Sequence, residues 1–443
     1  MKVRGSNKNI LTLALPIALS LAIPQISFLA NTAFLGRYGE RELAVNGIAG
    51  VYYLILSMVG YGLSSGVQIQ MARRAGEGDK EGLTRTFTNG MMLSILFALG
   101  MMIASLWLAP VIFGLSLHDG QNINFSIDYL YIRVWGLPFL LLTQLVSSFF
   151  ISISRSRFLI YGSVAGTLTN IIFDYLLIFG KYNFPELGLQ GAAIASIFGE
   201  IAFCMTMFGG YYYNKYYNEY PIRRFFSFDL KLSQRSLKIS TPLIVQFFFS
   251  IGGWQVFFIF VEHLGTRELA ASQILRSIFG IVGIGTWAMA ATCNTMVSNV
   301  LGQGKPDEVL LLIKRISGLA FIYAFLISGT LLVFADQFLS LYTTDHSLVD
   351  FAKPSLRVIV VSSLVMGLAT VLFNGVVGTG NTIVNLTIEI TCVLTYLVYC
   401  YYIIERMRLP LHWAWGSEFV YWTSLTVISF IYLRSGRWKG KII

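Results

Sequence analysis

The sequence predicts an all-α polytopic membrane protein, with twelve transmembrane helices in two six-helix lobes related by a parallel pseudo-twofold repeat. Of its 443 residues, 55% are hydrophobic and only 12% are charged, and the mean hydropathy is +0.67, whereas a soluble domain carries about 25% charged residues. Charge-free runs long enough to cross a bilayer recur along the chain, for example at 91–117 and 316–335. An internal repeat of about half the chain length divides these runs into two sets.

Twelve apolar segments reach the length that a spanning helix needs, which is about 20 residues. They cover approximately 10–36, 45–72, 86–113, 127–153, 158–180, 188–213, 239–264, 269–300, 312–335, 351–376, 382–404 and 411–433. The first segment continues past Pro16 and Pro24 to Gly36. It is therefore too long for the apolar core of a cleaved signal peptide, and we interpret it as the first span.

Basic residues are concentrated in alternate loops. They occur in both terminal tails and in the loops after spans 2, 4, 6 and 8, with Arg406 and Arg408 as a local exception to this pattern. Because basic loops mark the cytoplasmic side, we expect both termini in the cytoplasm. The same distribution accounts for the net charge of +10 without nucleic acid as a partner.

The chain repeats itself with a constant offset of 226 positions. The matched segments are Pro16 with Pro242, 41–44 with 267–270 (both Arg-Glu-Leu-Ala), and 76–78 with 302–304. Each half has six spans, an even number, so both halves enter the membrane in the same sense. The predicted domains are an N-terminal lobe at 1–213, a cytoplasmic linker at 214–238 and a C-terminal lobe at 239–443, with the substrate path expected between the lobes.

One carboxylate lies inside an apolar span. Asp174 and Asn170 are four residues apart and share a helix face in span 5. Counted from the outer span ends, Asn31, Asp174 and Ser196 lie roughly 7, 9 and 12 Å below the surface. Such convergent oxygens suit a hard cation, while a proton needs only the one carboxylate. The alternative interpretation is an Asp whose charge merely holds two helices together.

Other polar or kinking residues in the spans are further candidates. Glu200 either faces the cavity or pairs with a neighbouring helix. Glu389 is a second coupling or substrate carboxylate, or else a structural hydrogen-bond anchor. Pro16 and Pro24 each remove a backbone hydrogen bond from span 1, which would allow that helix to bend as a gate.

Several motifs together resemble the multidrug and toxic compound extrusion (MATE) family, over nearly the whole chain. The residues that carry the resemblance are Leu15-Pro16, Gly36 with 41–44, 76–78 with 302–304, Asn170-x3-Asp174 followed by 177–180, and 188–196.

The resemblance implies coupling through an acidic residue in span 1, the Asn-x3-Asp pair in span 5 and a hydroxyl residue in span 6. Asn170, Asp174 and Ser196 match this pattern, but Asn31 stands where the family commonly has Asp. The NorM branch also has a Glu eight residues after the Pro of span 7, where this chain has Ser250. The second lobe is therefore expected to be DinF-like rather than NorM-like, without that acidic site.

These observations predict a cation-coupled antiporter that exports amphipathic, cationic organic compounds by alternating access. The coupling ion is H+ or Na+, with Asp174, Asn170 and Asn31 as ligands if it is Na+, and no other cofactor is expected. The expected partners are the organic substrate and the lipid bilayer, without an obligate protein partner.

The alternatives are a flippase and an enzyme. A flippase for lipid-linked oligosaccharides or peptidoglycan precursors would need basic residues at mid-membrane depth, where this chain has few. A membrane enzyme is not expected, because the four His residues are scattered and the four Cys residues form no CxxC pair.

Overall fold

The computed structural model describes residues 5–116, 120–343 and 345–440, and every regular element within these ranges is a helix. The all-α prediction is therefore confirmed. In the first half the helices are α1 (Asn7–Tyr38), α2 (Glu40–Glu77), α3 (Lys80–Ser116), α4 (Gly120–Arg133), α5 (Leu137–Ser152), α6 (Arg157–Phe179), α7 (Gly188–Tyr213) and α8 (Tyr216–Glu219). In the second half they are α9 (Leu230–Leu264), α10 (Thr266–Gly302), α11 (Val309–Val333), α12 (Ala335–Ser340), α13 (His346–Gly378), α14 (Thr382–Cys400) and α15 (Leu411–Arg434).

All twelve predicted spans coincide with helix, and the span at 127–153 covers parts of both α4 and α5. Over the described residues, eleven helical segments are long and apolar enough to cross a membrane. One of them, Gly120–Ser152, joins α4 and α5 through a 3-10 turn at Val134–Gly136, and another, Thr382–Arg406, extends α14 by a π-helical turn. The remaining predicted span corresponds to α15, a helix of 24 residues that is not among the eleven.

The chain divides into two compact units. The first is Leu19–Ile244, and the second is Val245 onwards together with the N-terminal segment that ends at Ala18. The divisions thus fall inside α1 and α9, at positions that are 226 residues apart, and not in the loop at 214–238.

Hydrogen bonds explain why the ends of α1 and α9 group in this way. In the second unit, Arg315 Nη1 donates to the Gly5 carbonyl oxygen at 2.7 Å. In the first unit, Gln70 Nε2 donates to Ser236 Oγ at 3.1 Å, and Ser240 Oγ donates to the Leu63 carbonyl oxygen at the same distance. The loop at 214–229, which contains α8, also belongs to the first unit.

Close packing of α6 on α7 fixes the position of Asp174 in the first unit. A Cβ atom at Gly191 would lie 2.6 Å from the Leu177 carbonyl oxygen, and one at Gly199 would lie 2.9 Å from Asn170 Cβ. Glycines therefore allow the two backbones to approach. Helix α6 ends at Phe179 and is capped by Gly180, whose φ of +61° is readily adopted only without a side chain.

The second unit has its own apolar core. Phe257, Trp415 and Met366 are fully buried in it, and Phe257 packs edge-on against the indole of Trp415 with ring centroids 5.3 Å apart. The indole Nε1 of Trp415 donates to Ser272 Oγ at 3.1 Å, so this large side chain is buried without an orphaned donor.

Candidate functional site

The structure brings Asp174 of α6 and Asn31 of α1 together. Asp174 is fully buried, and the Asn31 amide nitrogen lies 3.1 and 3.2 Å from its two carboxylate oxygens. The other end of the same amide, Asn31 Oδ1, accepts from Asn46 Nδ2 of α2 at 3.2 Å. Asn31 therefore presents a donor to the carboxylate, and its carbonyl oxygen is held by a third helix.

Asn170 lies one helical turn from Asp174 and makes a parallel contact. Its Oδ1 accepts from Ser27 Oγ of α1, while its buried Nδ2 has no hydrogen-bond partner. Ser27 and Asn31 are four residues apart on α1, as Asn170 and Asp174 are on α6, and each contact joins positions 143 residues apart. Two helical faces thus meet in register over one turn.

Ser196, the predicted hydroxyl of span 6, is only partly buried on α7 and makes no side-chain hydrogen bond within the described ranges. The hydroxyl group in the site comes instead from Ser27, which sequence reasoning missed together with Asn46. The signal that could have found Ser27 is its four-residue spacing from Asn31, which equals the spacing from Asn170 to Asp174.

Glu200 is a helix partner. Its Oε1 lies 2.6 Å from Arg133 Nη2 of α4 and accepts from the Tyr53 hydroxyl of α2 at 3.0 Å. The Arg133 guanidinium also stacks 3.7 Å from the centre of the Tyr53 ring. The charge of this glutamate is therefore neutralised by a largely buried arginine, within the first unit.

Glu389 lies in the second unit and is fully buried on α14. Its Oε1 accepts from Ser250 Oγ of α9 and, at 2.9 Å, from the Tyr421 hydroxyl of α15, while Oε2 has no partner. Because residue 250 is a serine, the sequence predicted no carboxylate at this place in the second lobe. The structure nevertheless has a carboxylate next to the Ser250 hydroxyl, supplied by Glu389 of the facing helix α14.

Sequence reasoning also missed Glu418 of α15, whose Oε2 accepts from Trp422 Nε1 at 2.9 Å. It is almost completely buried. Span 12 is rich in aromatic residues and has a single acidic one, which is the signal that could have marked it.

The remaining predicted features concern metal binding and the gate. Across the ranges that the structure describes, no three His, Cys, Asp or Glu residues cluster in a way that could hold a metal ion. Cation ligation by Asn31 would require its amide to turn over, because its nitrogen now faces Asp174. Helix α1 continues without interruption through Pro16 and Pro24, so the gate stays a prediction.

Long apolar helices with buried, hydrogen-bonded carboxylates are typical of integral membrane transporters, in which intramembrane ionisable groups mark ion and substrate pathways. The sequence profile of the MatE family matches residues 16–176 and 242–402, two segments with the same 226-residue offset as the repeat. The chain belongs to the MatE family of transporters, and it is not an enzyme.

Curated relatives agree with this assignment. The chain is 20% identical over 443 residues to the probable multidrug resistance protein NorM of Thermotoga maritima, covering 98% of this chain and 94% of that protein. It is 25% identical over 312 residues to the multidrug resistance protein MdtK of Cronobacter sakazakii, covering 68% and 66%. A DinF-like second lobe stays a prediction.

Solved structures show the fold. An outward-facing multidrug resistance MATE transporter of the MOP superfamily has a TM-score of 0.90 at 17% identity, covering 98% of this chain and 97% of that one. A MOP superfamily transporter from Pyrococcus furiosus has a TM-score of 0.88 at 17% identity, covering 97% and 95%. In the Pyrococcus furiosus protein, the reverse polarity of the binding pocket suggests a different function, so the fold alone does not define a substrate.

Proposed function

We propose that the protein is a cation-coupled antiporter that exports amphipathic, cationic organic compounds by alternating access, with Asp174 as the coupling carboxylate. The observation that carries this proposal is the setting of Asp174. It is fully buried, its hydrogen bonds come from the neutral amide of Asn31, and among the described residues it has no ion pair within 4.0 Å. The names of the relatives, which are multidrug resistance proteins, support organic compounds as the substrate class.

Binding of H+ or Na+ at Asp174 would neutralise its buried charge. The free-energy change of neutralising a buried carboxylate is on the order of several kcal/mol, which is the scale needed to reverse a two-state equilibrium. An ionised carboxylate only accepts hydrogen bonds, whereas a protonated one also donates. Protonation therefore favours turning the Asn31 carbonyl oxygen toward Asp174 and away from Asn46.

Turning of the Asn31 amide would transmit ion binding at Asp174 to other helices of the first unit. The Asn31 amide cannot present its oxygen to Asp174 and to Asn46 in the same geometry, so ion binding on α6 changes a contact between α1 and α2. We propose that Pro16 and Pro24 allow α1 to bend in response. The proposed location is the bacterial inner membrane, with both termini in the cytoplasm.

The flippase alternative gains no support from the buried arginine. Arg133 would have to be available to a pyrophosphate group, but its guanidinium is engaged by Glu200 and stacked on Tyr53.

The test is efflux of a fluorescent organic cation from inverted vesicles, with a Na+ gradient and a pH gradient imposed separately. We expect Asp174→Asn to abolish coupled transport while the protein stays inserted, because the side chain keeps its shape but can no longer change charge. Asp128→Asn, which makes the same change at an exposed aspartate of α4 in the same unit, is the matched control and should transport normally. Full efflux by a well-folded Asp174→Asn protein would contradict the proposal.

A further inference from the structure

We propose that Glu389 is the centre of a second proton-binding site, in the second unit, which takes up and releases a proton during transport. This inference rests on the proposed antiport function and extends it from one coupling carboxylate to two. The site consists of Glu389 and Asn385 on α14, Gln246 and Ser250 on α9, and Tyr421 on α15.

Two buried oxygen atoms in this site lack hydrogen-bond partners. Glu389 and Asn385 are both fully buried, yet Glu389 Oε2 and Asn385 Oδ1 accept no hydrogen bond. The other end of the Asn385 side chain is fixed, because Nδ2 donates to Gln246 Oε1 at 2.7 Å. An unmet buried acceptor costs about 1–3 kcal/mol, and more when it is charged, so this pair of oxygens is unfavourable for as long as Glu389 is ionised.

A single proton fits this pair of atoms. The oxygens of an ionised Glu389 can only accept hydrogen bonds, and the Asn385 carbonyl oxygen can only accept them as well. No hydrogen bond can therefore form between Glu389 Oε2 and Asn385 Oδ1 while Glu389 is ionised. A proton on Oε2 turns that atom into a donor. Asn385 lies four residues before Glu389 and therefore one turn away on the same helix face, which makes its Oδ1 the acceptor that such a proton needs.

No positive charge from the residues that the structure describes acts on Glu389. The ionisable groups that act on it are Tyr421 from α15 and Cys392 from its own helix, with Glu418 beyond Tyr421. Ser250 is its contact on α9. No Lys, Arg or His in the described part of the chain forms an ion pair with Glu389. An unpaired buried charge is strongly unfavourable, so protonation is the way this group is accommodated.

The donor set favours a proton over a metal cation. Hard cations require several oxygens with lone pairs directed at one point. Here the Ser250 and Tyr421 hydroxyls both direct their hydrogens at Oε1. Glu389 Oε2 and Asn385 Oδ1 are the two oxygens of this set without any hydrogen-bond partner, and two such oxygens are fewer than a hard cation requires.

The experiment is infrared difference spectroscopy of the full-length protein in lipid nanodiscs, recorded between acidic and basic pH. The C=O stretch of a protonated carboxylic acid reports the occupancy of each site. We expect Glu389→Gln to lose one pH-dependent carboxyl band and Asp174→Asn to lose a different one. Glu200→Gln should lose neither, because the charge of Glu200 is paired with Arg133.

A Glu389→Gln spectrum identical to that of the wild type would overturn the proposal, since Glu389 would then not change protonation state. Loss of the Glu389 band on addition of Na+ at constant pH would overturn it in favour of a Na+ site. If Glu389→Gln does not fold, Glu389→Asp keeps a titratable acid and should shift the frequency of this band alone. An unshifted band in Glu389→Asp would likewise count against Glu389 as its source.

The coupling role of Asp174 and the second proton site at Glu389 can be refuted independently of each other. Normal efflux by Asp174→Asn would refute the coupling role of Asp174, whatever the infrared result for Glu389. A persistent full set of bands in Glu389→Gln would refute the second site while the efflux loss in Asp174→Asn still stood.

Discussion

The two units contain the same kind of polar ladder, in which residues four apart on one helix bond residues four apart on another. In the first unit both contacts span 143 positions, and in the second both span 139. The contacts are Ser27 with Asn170 and Asn31 with Asp174 in the first unit, and Gln246 with Asn385 and Ser250 with Glu389 in the second.

The ladders do not occupy equivalent positions of the repeat. The 226-residue offset takes Asn31 to Phe257, which is buried in the apolar core of the second unit. The residue that contacts the carboxylate there is Ser250, about two turns earlier on α9. The repeat has therefore kept the pairing of the two helices but moved the polar contact along them, which is why comparison of equivalent positions does not find it.

The units also differ in the hydrogen-bond and ion-pair partners of a second carboxylate. Glu200 in the first unit is paired with Arg133, whereas the buried Glu418 of the second unit is bonded by the neutral indole of Trp422. Arg357, which lies 224 positions after Arg133 and thus close to the corresponding place in the second half, is exposed. Of these four carboxylates, Glu200 alone is paired with a basic residue, while Asp174, Glu389 and Glu418 have no ion pair among the described residues.

The largest expected effect on stability comes from breaking the compensated pair. Arg133→Ala should destabilise the protein by about 3–5 kcal/mol, because it leaves the Glu200 charge buried and unpaired. Glu418→Gln should cost less than about 1.5 kcal/mol, because the amide oxygen can still accept from Trp422. Thermal unfolding in detergent measures both.

The control for this pair of variants is Lys305→Ala, which removes an exposed ion pair with Glu308 and should cost at most about 1 kcal/mol. An Arg133→Ala protein as stable as Lys305→Ala would show that the two units do not differ in this respect.

A smaller effect is expected from widening the contact between α6 and α7. Gly199→Ala places a Cβ atom 2.9 Å from Asn170 Cβ and 3.0 Å from the Gly166 carbonyl oxygen, and such overpacking costs about 1–3 kcal/mol. It should also weaken transport by moving Asn170 relative to Ser27. Gly209→Ala on the same helix meets nothing within 4 Å and should be neutral or stabilising. Equal behaviour of the two variants would mean that this close approach does not position the ladder.

The smallest expected effect concerns the start of α13. Asp345 accepts from the backbone N–H of Ser347 at 2.8 Å, and hydrogen bonds from Ser347 hold the pKa of its carboxyl below the usual range. A lowered pKa means that the stabilisation is complete above the unfolded-state pKa of about 3.9 and is lost as the pH falls through the folded-state value. The melting temperature of Asp345→Asn should therefore approach that of the wild type as the pH is lowered, and a constant difference would contradict this.

The sequence was sufficient for the helices because bilayer thickness and the cost of unpaired backbone groups leave few alternatives for long apolar runs. The approach of Asn31 to Asp174 also followed from counting residues inward from the span ends. Ser27 was missed because a serine changes the hydropathy of a span very little. Asn46 was missed because it stands at the very start of its predicted span, where polar residues are ordinary.

Which helix faces which was not predictable in the same way. Ser196 lies at a suitable depth, but the rotation of α7 gives it no hydrogen-bond partner among the described residues, and depth counting contains no information on rotation. The partnership of Arg133 with Glu200 joins residues 67 positions apart on different helices, and it depends on how α4, α2 and α7 pack against one another.

The assignment of the first turns of α1 to the second unit has a consequence for biosynthesis. Gly5 accepts its hydrogen bond from Arg315, 310 positions later in the chain. At translation rates of about 5–20 residues per second, the N-terminal segment leaves the ribosome on the order of tens of seconds before the helices it joins. The segment before α1 can therefore make this contact only after Arg315, about seven-tenths of the way along the chain, has been synthesised.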